Sequence, residues 1–209
     1  MREGNLTARS EFPRRDDSSG GEGHEHGSMT VHDDTIDIRE ATTADAPALA
    51  SFGERTFRDA FAAQNRPEDV EAHVAATYSL ERQRADLADP ARLTLVAERD
   101  ATLVGFAQLR EGDAPACVGG PAPIELLRFY VDRAWHGRGL AQKLMAAVVA
   151  AAAARQARTL WLGVWEHNPR AIAFYGKCGF QDVGSHGFVL GTDHQTDRIM
   201  LRAVGVTAA

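Results

Sequence analysis

The chain has 209 residues, 44% of them hydrophobic, with a formal net charge of −6 and two cysteines. This is long enough for one sizeable core, the acidic balance disfavours nucleic acid as the main ligand, and no apolar run approaches the ~18 residues of a membrane span. Cys117 and Cys178 have no metal-ligand spacing between them, and the N-terminus lacks an apolar secretory segment, so free thiols, a cytoplasmic setting and no metal site are expected.

Residues 1–33 are rich in Gly, Ser, Arg, Asp and Glu without apolar periodicity. Such a stretch buries too little surface to offset its ordering entropy, which predicts a disordered or added N-terminal extension ahead of one domain at 34–209. His24 and His26, isolated in that tail, do not amount to a metal site. The alternation in Thr35–Arg39 predicts a first strand. Leu49, Phe52, Phe57 and Phe61, spaced three to five apart after Asp45 and Pro47, predict a helix. Further helical patterns cover about Pro67–Tyr78 and Leu80–Leu87. Leu93–Glu98 and Thr102–Leu109 read as a hairpin, and Glu111–Pro123, broken by Gly and Pro, as a loop.

Ile124–Asp132 is the most apolar strand candidate and is expected at the centre of the sheet. Leu140–Ala157 is helical by propensity, and Thr159–Trp165 is another strand. Asn168 as N-cap, Pro169 in the first helical position and Gly179 beyond the end bracket a short helix to Cys178. Gln181–Leu190 and Thr196–Ala203 read as closing strands, giving a mixed α/β order without internal repeats. Trp161 and Trp165 share a strand face and read as packing residues; His186 and His194 read as surface or packing residues.

Between the central strand and the Ala-rich helix lies Trp135–Gln142, WHGRGLAQ. A strand, a glycine turn and a helix start can hold a phosphate, because the first amides of a helix lack internal acceptors and carry partial positive charge. The string GxxxxGK[ST] is absent, and Gln142 stands where GxGxxG needs its third small residue. What remains is HGRGLA, close to R/Q-x-x-G-x-G/A; in isolation an ordinary strand-to-helix turn explains it equally well.

That pattern resembles the pyrophosphate loop of the GNAT superfamily of N-acetyltransferases. Strand Ile124–Val131, loop His136–Ala141, strand Leu160–Val164, then Asn168, Ala171 and AFYGKCGF (Ala173–Phe180) match it in order and spacing. TFRDAFAAQNRPED (Thr56–Asp69), LWLGVWEHNPRAIAFY (Leu160–Tyr175) and HQTDRIM (His194–Met200) are most similar to the PaiA-type bacterial polyamine acetyltransferases. The resemblance spans about Ile36–Ala203.

The resemblance implies a mixed, mostly antiparallel, splayed sheet with flanking helices, and an amine attacking the thioester of acetyl-CoA. It assigns the pyrophosphate to His136, Gly137, Arg138, Gly139, Leu140, Ala141 and Gln142. It gives the main chain of Phe129, Tyr130 and Val131 the oxyanion and the pantetheine arm, with a further contact from Asn168. Tyr175 matches the general acid facing the departing sulfur. Glu125 is the carboxylate best placed by sequence to act as a base through water, or to attract a cationic substrate; an ion-paired strand residue is the plainer reading. His136 departs from the usual Gln or Arg, though a neutral imidazole still offers one N–H. A small polyamine is the leading acceptor, against a protein N-terminus, an amino acid or an antibiotic amine, and against a non-catalytic acyl-CoA-binding module. The partner is a small molecule rather than nucleic acid or membrane, and the oligomeric state, a homodimer included, is left open.

Overall fold

The computed structural model describes residues 35–190 and 193–205, so the expected extension and its histidine pair lie outside the described residues. β1 (Asp37–Glu40) leads through a single 3-10 turn into α1 (Ala46–Phe61), α2 (Pro67–Tyr78) and α3 (Leu80–Ala88). The hairpin β2 (Arg92–Arg99) and β3 (Thr102–Glu111) is followed by β4 (Pro123–Val131), α4 (Leu140–Ala154), β5 (Thr159–Trp165), α5 (Pro169–Lys177), β6 (Gln181–Leu190) and β7 (Asp193–Ala203). β7 starts earlier than its polar sequence suggested, because pairing with β6 extends to Leu190↔Asp193. α4 ends short of Ala157, with Gln156 at φ 60.

The strands form one seven-stranded sheet in the order β1-β2-β3-β4-β5-β7-β6. Every neighbouring pair is antiparallel except β4 and β5. That exception follows from the sequence: α4 supplies the crossover that parallel neighbours require. Its alanine-rich body presents Leu140, Ala141, Leu144, Met145, Val148 and Ala152 to one face of the sheet, where they pack on Leu126, Phe129, Val131 and Leu162. The other face is covered by α1 and α2, whose Leu49, Phe52, Phe57, Phe61, Val70 and Val74 meet Val96, Phe106 and Tyr130.

Two irregularities shape the middle of the sheet. β4 and β5 pair only at Pro123↔Thr159, Ile124↔Leu160 and Glu125↔Trp161, and then diverge. On its other edge β4 shifts register against β3 between Gln108↔Arg128 and Leu109↔Leu126, leaving Leu127 as an extra residue. A bulge of this kind bends a strand and raises its twist. Residues 126–131 of β4 therefore turn a main-chain edge toward a wedge-shaped slot, with β5 as its far wall.

Candidate active site

The glycine turn follows β4 directly, at the end of the strand where β5 has diverged from it. Asp132 Oδ1 accepts from the Ala134 amide at 2.9 Å, and the Trp135 amide donates back to the Asp132 carbonyl at 2.8 Å, so the chain reverses immediately after β4. Gly137 and Gly139 have φ of 76° and 82°, a region that costs an L-residue roughly 1–2 kcal/mol. A Cβ built on either glycine would meet nothing within 4 Å, so the turn opens onto free space. Gly139 is the N-cap of α4, and the Lys143 amide reaches the Gly139 carbonyl at 3.1 Å. The amides of Leu140, Ala141 and Gln142 come before that donor and so have no acceptor within α4 itself. Arg138 extends over the Trp135 ring, 5.8 Å from its centroid, and Arg99 lies 5.3 Å from the same centroid.

His136 folds back onto the strand it follows: its Nε2 lies 3.0 Å from the Val131 carbonyl oxygen. The N–H is assigned to Nε2 by that bond, so the single N–H of the neutral ring is committed to the end of β4. Burial pushes the imidazole below its ordinary pKa, opposed by the Val131 bond and assisted by the charge of Arg170.

α5 supplies the other wall. Asn168 Oδ1 accepts from the Ala171 amide at 3.1 Å, Pro169 takes the first helical position, and Gly179 at φ 85° lets the chain leave. The helix thereby points Tyr175 inward. Its side chain is 0% exposed, with its ring centroid 6.4 Å from Phe129 on β4 and 5.5 Å from both Phe174 and Phe180. Arg170 stands on the first turn of the same helix and acts electrostatically on His136. The sequence reading passed over this cation; its signal is the position two residues after the cap.

A strand edge without a neighbour, a glycine turn opening onto space and a buried tyrosine beside that edge thus converge in one slot. A profile of the acetyltransferase (GNAT) family matches residues 56–180. An uncharacterized N-acetyltransferase of Mycobacterium tuberculosis is 39% identical over 158 residues, 76% of this chain and 97% of its own. A probable spermine N(1)-acetyltransferase of Bacillus subtilis subsp. natto is 32% identical over a shorter stretch of 66 residues, 31% of this chain and 43% of its own. Among solved structures, the PaiA N-acetyltransferase of Thermoplasma acidophilum in complex with coenzyme A has a TM-score of 0.68 at 22% identity, covering 81% of this chain and 99% of its own.

The chain belongs to the acetyltransferase (GNAT) family. It is an acetyl-CoA-dependent N-acetyltransferase with the acyl-CoA N-acyltransferase fold.

In this GNAT enzyme the side chains of β4 alternate between the two faces of the sheet. Phe129 and Val131 point toward α4 and α5, whereas Tyr130 points to the α1–α3 face, with its hydroxyl 2.8 Å from that of Tyr78. Glu125 is at the closed end of the slot, in the last β4–β5 pair, and 2% exposed. It is ion-paired with Arg110. Burial pushes its carboxyl above the ordinary value, with Arg110, Arg92 and Arg128 opposing. Beside it runs a buried charge network in which Arg128 Nη1 donates to Asp86 Oδ2 at 2.8 Å and to Gln108 Oε1 at 2.6 Å. The structure therefore unites Tyr175, Phe129 and the loop, and sets Glu125 apart at the closed end of the slot.

Trp161 is buried with Val118 and Ile199, as packing predicted. Trp165 is half-buried and meets Phe61 edge-on at 6.5 Å. Asp197, 1% exposed, went unremarked in the sequence except within HQTDRIM; His186 Nε2 stands 4.0 Å from its Oδ2. The side chain of His194 lies outside the described residues.

Proposed function

We propose that this N-acetyltransferase acetylates a primary amine of a small aliphatic polyamine. The observation that carries the acetyl-transfer part of this reading is the splay after Glu125↔Trp161, which leaves one edge of residues 126–131 unpaired with β5 beside the open turn at Gly137 and Gly139. The residues fit acetyl-CoA: a pantetheine arm can lie along that edge, and its pyrophosphate can accept from the amides at the start of α4. Acetyl-CoA supplies a thioester-activated acetyl group.

The protein's own groups then have three tasks. Main-chain donors near Phe129–Val131, fixed by β3 on the opposite edge, are in place before negative charge develops on the thioester oxygen, so they need no reorganisation. A primary amine with a reference pKa near ~10.4 must lose a proton before it attacks. Glu125 is proposed to take that proton through water, since burial makes its carboxylate more basic than an exposed one. Tyr175 donates a hydrogen bond to the departing sulfur. His136 holds the end of β4 through Val131 and leaves the phosphates to main-chain amides, Arg138 and Arg170. Asn168 shapes the slot wall as the cap of α5.

The similarity to a probable spermine N(1)-acetyltransferase supports a polyamine acceptor. The test follows thiol release from acetyl-CoA across a panel of polyamines, amino acids, aminoglycosides and peptides. Acceleration by polyamines above the other classes is expected, and a panel in which no amine accelerates release overturns the reading.

A further inference from the structure

Asp132 is the only acidic residue between Val131 and Arg155, in a stretch that also carries Arg133, Arg138 and Lys143. It opens the glycine turn and is tied to it twice, since its Oδ1 accepts from the Ala134 amide and its carbonyl from the Trp135 amide. Its own amide donates to the Val104 carbonyl at 2.8 Å, which carries the bonding between β3 and β4 one step past Val131. The second carboxylate oxygen meets the other layer of the molecule: Arg55 Nη2 of α1 donates to Asp132 Oδ2 at 2.8 Å. The Arg55 guanidinium lies over Phe52, 5.0 Å from the ring centroid, and Phe52 is buried edge-on against Phe106 of β3. Packing as well as charge therefore holds the cation at that carboxylate.

The cap at the head of the turn needs an oxygen but not a charge, because the carbonyl of an amide side chain accepts from the Ala134 amide equally well. A negative charge at that position works against phosphates bound a few residues further on. The Asp132 side chain is only 20% exposed, so water screens it in part. Its charge is felt inside the turn: burial lowers the pKa of His136, and the charge of Asp132 opposes that effect. Acting across roughly 8 Å of partly screened surroundings, one uncompensated charge changes the affinity for a doubly charged group about three- to tenfold.

We infer that Arg55 is a positioning residue for the cofactor: from the α1 layer it neutralises Asp132, so that the cap of the turn does not repel the diphosphate of acetyl-CoA. The inference rests on the reading that the turn at Gly137 and Gly139 holds that diphosphate, and it names a residue 77 positions before Asp132 on which that binding depends. Arg55 acts through Asp132 rather than on the acetyl group or the amine. The two carboxylate oxygens divide the work, one holding the turn and the other facing the cation, so the charge of Asp132 can be separated from its role as cap.

The test is calorimetric titration of acetyl-CoA into the full chain and its variants. The Arg55 side chain is 49% exposed, so Arg55→Gln is expected to fold normally. It should raise the Kd about three- to tenfold in about 50 mM salt, with the difference falling below about twofold in about 0.5 M salt. At saturating amine and acetyl-CoA, kcat should stay within about twofold, so that the loss lies in the KM for acetyl-CoA. Adding Asp132→Asn keeps the cap oxygen and removes the charge, so the double variant should return to within about twofold of the wild-type Kd, and Arg55→Lys should stay there as well. A double variant that binds no better than Arg55→Gln alone means that the contact only braces the turn, and overturns the inference. An unchanged Kd in Arg55→Gln, or a loss that persists at high salt, overturns it too. Arg138→Gln tests the underlying reading by removing a proposed phosphate partner. An unchanged Kd in that variant overturns the reading and the inference with it, whereas a weaker Kd there beside an unchanged Arg55→Gln overturns the inference alone.

Discussion

Tyr175→Phe removes one oxygen from a ring that is fully buried, with Phe129, Phe174 and Phe180 at centroid distances of 6.4, 5.5 and 5.5 Å. Those ring contacts persist in the variant, so α5 should hold its place and the cofactor slot its shape. A phenol near ~10 and a thiol near ~8.5 differ by about 1.5 pKa units, so full proton transfer is uphill by about 2 kcal/mol. The hydroxyl therefore acts mainly as a hydrogen-bond donor to developing thiolate charge, an interaction of about 1.5–3 kcal/mol. That range corresponds to roughly a 10- to 150-fold fall in kcat. Because the bond strengthens only as the sulfur departs, the Kd for acetyl-CoA should change by less than about threefold. Thiol release measured at saturating amine gives the first quantity, and calorimetric titration with acetyl-CoA the second. A parallel fall in kcat and cofactor affinity, or a kcat within about twofold of wild type, would refute the reasoning.

Glu125→Gln should lower kcat/KM for the amine by roughly 10²–10⁴ and remove the acid limb of its pH profile; a change confined to the melting temperature leaves Glu125 with only its Arg110 pairing. Arg128→Met strips a buried cation from Asp86 and Gln108 and should cost about 3–5 kcal/mol in urea unfolding, part of it regained on adding Asp86→Leu. Lowering of the His136 pKa by burial means that the unfolded chain takes up this proton at higher pH than the folded one. Folding stability should therefore decline as pH falls from about 6.5 through the lower folded value. His136→Gln should flatten that decline, read from urea midpoints between about pH 7.5 and 5.5, while keeping cofactor binding.

Legibility tracked the range of the interaction. The α5 boundaries were readable because a cap is a contact among near neighbours: Asn168 reaches the Ala171 amide, and Gly179 supplies the positive φ that ends the turn. The open geometry at Gly137 and Gly139 was implicit in their identity for the same reason. β7 was read too short because His194-Gln195 carries no alternation, and its pairing depends on β6. Arg170 and Asp197 escaped notice because nothing local distinguishes them from surface charges.

The sequence by itself determined the elements, the crossover that makes β4 and β5 parallel, and the loop, cap and tyrosine that mark a GNAT enzyme; each follows from periodicity or from residues a few positions apart. Only the tertiary structure decided how those parts meet. The slot exists because two strands stop pairing after Glu125↔Trp161 and because Leu127 bulges against β3, both consequences of how three strands fit together. The same holds for the pairing of Glu125 with Arg110, the turning of His136 onto Val131, and the reach of Arg55 to Asp132. Register between distant strands and burial between layers are sums over the whole fold, and no short stretch of the chain contains them.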